Sequence, residues 1–481
     1  LCDMRARPKR KRNPSPFFVR PAWDHHCTEV PMKSRGVSDP PEALFQDFKP
    51  VLVFCAILGI FPLQLRRTGD AHFKWFSRSM LYSGVFYTLV GCFDLWLARR
   101  RLYDIVYNTH NFTTTIFKYN FFVYLIPHLI LFPAHWLEGR KLAAFRNKWW
   151  EFQISFFRVT GRSLSFGLRK TSWLVVVILP LFSVLYIGVV EMMTSEFTTA
   201  ELFFYWYMLT LLVLHLVVWY MCCTALATSA KQLGNLLQLA VIDGRGDISN
   251  YRVLWLQLSE LTKLTGSSNT YVQGQLLLEY FATILLSLYS IMIGMFENRI
   301  SSITLSQGLN GIFWSLVVLV MCNSAGWAQW QVGPVFIGRL SELLHYGRAV
   351  DQFETFLQVA SCNQTMISLQ GYVNLDHGLF NTVYRCILLY VLQLETFLQV
   401  ASCNQPMISL QGYVNLDRSL FTTVYTGLFI IFYRNCSVDG LNPELASTVV
   451  TYLVVLLQFG SKDREDDNID IYNFTTTSSQ L

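Results

Sequence analysis

Six windows of about 20 residues, each almost free of formal charge, limit what this chain can become more than any other feature. They are Ser79–Ala98, Tyr119–Leu137, Ser172–Val190, Leu202–Cys223, Leu276–Phe296 and Ile312–Val332. A helix rises about 1.5 Å per residue, so each window matches the roughly 30 Å of hydrocarbon in a bilayer. Only Asp94 and Glu279 carry formal charge inside the six, and both read as lying towards span ends. Composition agrees: 15% of the residues are charged, against about 25% in soluble domains, and the mean hydropathy is +0.34. These observations argue for an all-α polytopic membrane protein. They argue against a disordered chain, a nucleic-acid-binding domain and a disulfide-stapled secreted module. The shorter apolar run Pro50–Leu65 contains Pro62 and Gln64. It is expected to lie in the interface or against the bundle without crossing.

Lys and Arg gather on the cytoplasmic side of membrane proteins. With residues 1–78, 138–171, 225–275 and 333–418 placed on one side, that side holds 30 basic residues and the other holds 5. Discarding everything up to Pro31 still leaves 23 against 5. The N-terminus is therefore expected in the cytoplasm, and seven transmembrane helices would leave the C-terminus extracellular. The Arg99–Arg101 triplet is the one dissent, close to a helix end. This layout is inverted relative to a G-protein-coupled receptor. It exposes Asn111-Phe112-Thr113 and Asn473-Phe474-Thr475, making Asn111 and Asn473 candidate glycosylation sites. The net charge of +6 and the basic run Arg5–Arg12 then express topology, and no nucleic-acid partner is expected.

The seventh span is interrupted. Ala446–Phe459 is apolar for only 14 residues, but joined directly to Ser419–Tyr425 it gives 21 uncharged residues. Residues 426–445 therefore read as an insert. Residues 354–384 recur at 395–425 with four differences in 31 positions: Thr365/Pro406, His377/Arg418, Gly378/Ser419 and Asn381/Thr422. Stacked structural repeats diverge and come in three or more copies. Two near-identical copies point instead to a duplicated exon, or to alternative exons translated together, with a structural duplication as the alternative. The domain reading is a basic cytoplasmic segment 1–49, in which Met32 would make a sensible start, a seven-helix domain 50–459, and a polar acidic tail 460–481.

Thr451-Tyr452-Leu453-Val454-Val455-Leu456-Leu457-Gln458-Phe459 closes that last span. Gln458 near the outer end of an apolar helix is costly against lipid and useful against water or another subunit. Four copies around an axis would offer a ring of amide dipoles to a cation. The other reading is that Thr451 and Gln458 join helices by hydrogen bonds. The segment resembles the TYhhhhhQF signature (h, hydrophobic) of the insect gustatory receptor family, and residues 48–63 and the stretch NLDRSLFTTV are similar to that family too. The resemblance covers residues 32 to about 460; the insert and the long acidic tail depart from it. It implies a ligand-gated cation channel of the plasma membrane, in dendrites of gustatory neurons, assembled as a homo- or hetero-tetramer with other gustatory receptors. The last helix would line the pore, with Val455 as gate, Gln458 and Phe459 beside the filter, and Thr451 and Tyr452 on the same helix. Sugar-sensing members carry Glu after the TY pair where Leu453 stands here, which favours a bitter-type tastant.

A small-molecule tastant would arrive from outside, so aromatic residues in the outer halves of the spans are the ligand candidates: Tyr186, Tyr205, Trp206, Tyr207, Tyr289 and Trp314. Aromatics offer rigid contact with a polar tip; an interfacial belt is the competing explanation. Tyr205, Trp206 and Tyr207 cannot share one pocket, since successive helical residues diverge by about 100°. The eleven cysteines show neither a CxxC pair nor zinc spacing, so no metal or cofactor is expected. No hydrolase triad, phosphate loop or dinucleotide fingerprint is present, so the chain does not read as an enzyme. A metabotropic seven-helix receptor is the alternative function. A secondary transporter, which would need broken helices and buried charges, ranks third.

Overall fold

In a computed structural model the described residues are 43–61, 63–65, 71–107, 112–195, 197–243, 247–296, 301–344, 350–363, 365–369 and 373–375. They form eleven α-helices: α1 (Ala43–Ile57), α2 (Arg78–Tyr107), α3 (Phe112–Val123), α4 (Ile126–Thr160), α5 (Arg169–Thr194), α6 (Thr199–Ile242), α7 (Ile248–Ser267), α8 (Thr270–Phe296), α9 (Ser302–Trp330), α10 (Phe336–Leu344) and α11 (Val350–Cys362). The fold is all-α as expected, with two antiparallel pairs of two-residue strands beside the helices. They are β1 (Gln64–Leu65) with β2 (Ala71–His72), and β3 (Ser368–Leu369) with β4 (Val373–Asn374).

Among the described residues, six helical segments are long and apolar enough to cross a bilayer; five contain one of the six windows whole, and Thr270–Ile291 takes in Leu276–Phe296 as far as Ile291. The seventh span, both glycosylation candidates, the insert 426–445 and the second repeat copy lie outside the described residues. Local chemistry sets several helix ends. Thr198 and Glu201 form a capping box at the start of α6, and the Asp247 and Ser301 side chains accept backbone N–H groups at the starts of α7 and α9. Gly161, at φ 67°, stops α4.

α1 departs from the expected Pro50–Leu65. It begins at Ala43, accommodates Pro50 inside its second turn, and ends before Gly59, whose φ of 74° an L side chain resists. It packs on α5 with Phe48, Val51 and Cys55 inward. Burial pushes the Cys55 thiol up to about 12.

α6 is the central post, flanked by α5, α7, α9 and α10. α2 and α5 are peripheral. On α5, Leu174, Val177, Ile178, Leu181, Val184 and Leu185 form an exposed apolar stripe that a hydrocarbon solvent tolerates and water does not. The chain is a multi-pass membrane protein. Beyond the apolar window, α4 and α6 run on and pack against α7. The Glu138 carboxylate of α4 accepts the Tyr271 and Val272 N–H groups at the start of α8, at 2.8 and 3.4 Å. α9 passes into α10 through one π-helical turn, Gln331–Val335. There the Trp255 indole N–H of α7 donates to the Val332 carbonyl at 3.1 Å.

Candidate ligand-binding site

A cluster of buried polar and aromatic side chains lies where α5 and α8 finish and α6 and α9 begin. Pro127, at the start of α4, cannot supply a helical N–H. The chain turns at Tyr124–Leu125 between α3 and α4, and that turn carries Tyr124 into the bundle. Asn310 of α9 is the hub. Its Oδ1 accepts the Tyr124 hydroxyl at 2.6 Å, the Tyr186 hydroxyl of α5 at 2.9 Å and the Trp314 indole N–H at 3.0 Å. Its Nδ2 donates to Ser287 Oγ of α8 at 3.4 Å. The Trp314 N–H is shared with the Tyr124 oxygen. One turn away, Gln307 Oε1 accepts from Asn120 Nδ2 of α3 at 2.5 Å and from Ser287 Oγ at 3.4 Å.

This web has slack in it. A carbonyl oxygen has two lone pairs, yet three donors converge on Asn310 Oδ1. A guest bearing an acceptor can take one tyrosine hydroxyl without stranding it. Asn120 Oδ1 is buried with no hydrogen-bond partner, an acceptor left for a donor. Against this web lies a small cavity lined by Phe121, Tyr124, Tyr186, Tyr205, Leu209 and Asn310, among others. As described it has room for about one water, so a larger guest needs side chains to move. Phe121 meets Tyr205 edge-on at 5.0 Å, and Tyr280 stacks on Trp314 at 4.8 Å.

Over residues 48–394 the sequence matches the family described as 7tm chemosensory receptor. The chain belongs to that family. Among the receptor's relatives, the gustatory and odorant receptor 24 of Anopheles gambiae is 27% identical over 361 residues, which is 73% of this chain and 77% of the relative. The gustatory and odorant receptor 21a of Drosophila melanogaster is 24% identical over 384 residues, 75% and 83% of the two chains. Among solved structures, the insect olfactory receptor OR5 from Machilis hrabei in complex with eugenol superposes with a TM-score of 0.54 at 13% identity, covering 74% of this chain and 98% of that one. The same receptor without eugenol gives 0.52. At that identity the likeness establishes the fold alone.

The receptor distributes its sequence-chosen aromatics over different surroundings. Tyr186 and Tyr205 line the cavity, and Trp314 joins it through Asn310 and Tyr124. Trp206 turns to α5 and donates to the Pro180 carbonyl at 2.9 Å. Tyr207 faces the other way, 6.1 Å from the Phe86 ring and 5.9 Å from that of His128. Tyr289 is buried in α8 and does not line the cavity. Thr451, Tyr452, Val455, Gln458 and Phe459 lie outside the described residues.

Asn120, Tyr124, Ser287, Gln307 and Asn310 escaped the sequence reading. The signal of the four polar residues was a polar side chain inside or just before an apolar window, while Tyr124, an aromatic in the outer half of its window, met the same criterion as the six chosen. Asp94 also needs correcting. It sits mid-way along α2, not near its end, and is fully buried, because the helix runs past its apolar window to Tyr107.

Proposed function

We propose that this receptor is a ligand-gated cation channel of the plasma membrane, opened by a small amphipathic molecule that enters the Asn310 cavity from outside. The convergence of three donors on Asn310 beside an aromatic-walled cavity carries this reading, because it suits a guest with an apolar body and one hydrogen-bonding group. The balance of 30 basic residues to 5 supports an internal N-terminus, which turns the cavity towards the extracellular side. A bitter-type tastant meets the description, and so does an odorant. The channel part rests on the TYhhhhhQF resemblance. Four chains would bring Gln458 and Phe459 together at the mouth and Val455 at a gate one turn inward. The repeat is read as one copy too many, so the working receptor would carry a single 354–384 segment leading straight into the last span.

Whole-cell currents from the expressed full chain test the proposal, with eugenol as a phenolic probe. The probe should evoke a cation current that shifts to higher concentration in Tyr186→Phe and is lost in Asn310→Leu, with both variants at the cell surface by biotinylation. Wild-type responses in both variants would remove the cavity from the mechanism. An extracellular N-terminal tag would overturn the channel reading in favour of a metabotropic receptor.

A further inference from the structure

Where α2, α4 and α6 meet, three pairs of buried ionisable side chains stack along the seam between them. Asp94 and Arg101 are seven residues apart on α2, His128 and His135 seven apart on α4, and Glu201 and His215 fourteen apart on α6. Seven residues are two turns, so the layers are about 10 Å apart. The outer layer is Arg101–Glu201, an ion pair at 3.1 Å with both side chains 2% exposed. The inner layer is His135–His215, with their Nε2 atoms 2.7 Å apart. His215 Nδ1 lies 2.7 Å from the Leu211 carbonyl, which only accepts, so that nitrogen carries the hydrogen. His215 Nε2 then accepts from His135 Nε2–H. Both outer and inner layers are electrically neutral with their protons accounted for.

The middle layer is not. Asp94 and His128 are each 0% exposed, with Oδ2 and Nδ1 3.8 Å apart. Both Asp94 oxygens, both His128 ring nitrogens and the Tyr207 hydroxyl lack hydrogen-bond partners. Other titratable groups surround the imidazole: Tyr87 of α2 stacks at 5.5 Å and Tyr207 of α6 lies at 5.9 Å. Phe132 and Phe204 complete the box. Tyr87 donates its own proton to the Leu129 carbonyl at 3.2 Å. With carboxylate and neutral imidazole, this layer would hold one uncompensated negative charge deep in the bundle, which low dielectric penalises heavily. One added proton, on Oδ2 or on Nδ1, brings the layer to zero charge and supplies the hydrogen that closing the 3.8 Å gap requires.

We propose that Asp94 and His128 form a proton-binding site that holds one proton between them while α2, α4 and α6 are packed. The proton comes from water, adds to a lone pair, and leaves to water when α2 and α4 part. The sign of the pH effect follows. Above the ordinary His value of about 6.5, the unfolded chain binds no proton at either residue, whereas the packed bundle keeps one. Stability contributed by the site is therefore complete between about pH 4 and pH 6.5, where folded and unfolded chains each hold one proton, and is lost as pH rises above that, by up to about tenfold in the folding equilibrium per pH unit.

The experiment is the pH dependence of unfolding of the purified full chain in mixed micelles, between about pH 7 and pH 9. Asp94→Asn, neutral without a proton, should flatten the dependence by one proton while remaining folded. His128→Asn leaves Asp94 to carry the proton alone and should keep the wild-type slope. Equal slopes in wild type and Asp94→Asn, or a slope lost in His128→Asn and kept in Asp94→Asn, would overturn the proposal. No current is measured, so the result stands apart from the channel reading.

Discussion

Consider Tyr186→Phe made alone and again in an Asn310→Ala background. In the wild type the substitution removes one of three donors from an oxygen with two lone pairs. Its cost should be small, about 0.6 kcal/mol or less for a hydrogen bond between membrane helices. Asn310→Ala is different, because it strands the hydroxyls of Tyr124 and Tyr186 and each buried unsatisfied donor costs roughly 1–3 kcal/mol. Trp314 still donates to the Tyr124 oxygen, but that contact satisfies no hydroxyl hydrogen. Once Asn310 is gone, Tyr186→Phe deletes a stranded donor and should be neutral or stabilising. The two changes should couple by about 0.6–1.7 kcal/mol, and Tyr124→Phe should couple more strongly, since Tyr124 is the more buried tyrosine. Unfolding free energies in mixed micelles give the cycle directly. Additivity within about 0.3–0.5 kcal/mol for both tyrosines would show that Asn310 is not the hub.

Other expectations follow from the same reasoning. Gln458→Ala should change ion selectivity or divalent block with surface expression nearly intact, and Val455→Ala should raise ligand-independent current; unchanged reversal potentials and basal current in both would dismiss the pore role. Arg101→Met should cost about 3–5 kcal/mol by leaving the buried Glu201 carboxylate without its guanidinium, with only the Thr198 N–H against it, and Arg101→Met with Glu201→Gln, whose amide oxygen can still accept that N–H, should recover much of it; thermal unfolding of the two variants checks this, and equal losses would mean that the ion pair is not the cause. Because burial lifts the Cys55 thiol to about 12, maleimide labelling of the native receptor near pH ~8 should be unchanged by Cys55→Ser, and mass spectrometry of the modified peptide would expose a reactive Cys55.

Much of the fold was legible because the bilayer imposes a length. The six apolar windows fall in six long helical segments, the second of them divided by the turn at Tyr124–Leu125 between α3 and α4. What the windows hid was how far those helices run beyond the hydrocarbon. Residues 225–242 continue α6 with Leu233 and Leu237 buried, and an inward stripe interleaved with polar residues falls below any uniform apolar threshold. The start of α1 was missed for the same reason, as Gln46, Asp47 and Lys49 dilute its hydropathy. At the candidate site, aromatic size was legible but function within the fold was not. Tyr205, Trp206 and Tyr207 are adjacent in sequence and face three different neighbours, which helical geometry foretold without saying which one meets the cavity. The amides Asn120, Gln307 and Asn310 carry the polar network, but a lone amide in an apolar window gives no sign of where its partner sits.

The length of α6 has a mechanical consequence. Its 44 residues make a rod about 66 Å long at 1.5 Å per residue. Tyr205 near one end touches the cavity, and Gly234 near the other lies against Arg339 and Phe336 of α10. Rigid tilting by about 5° about one end would sweep the other through about 6 Å, roughly one helical turn. Side-chain adjustments too small to notice at the cavity would thus arrive magnified at the opposite end, in the way a long pointer reports a small torque.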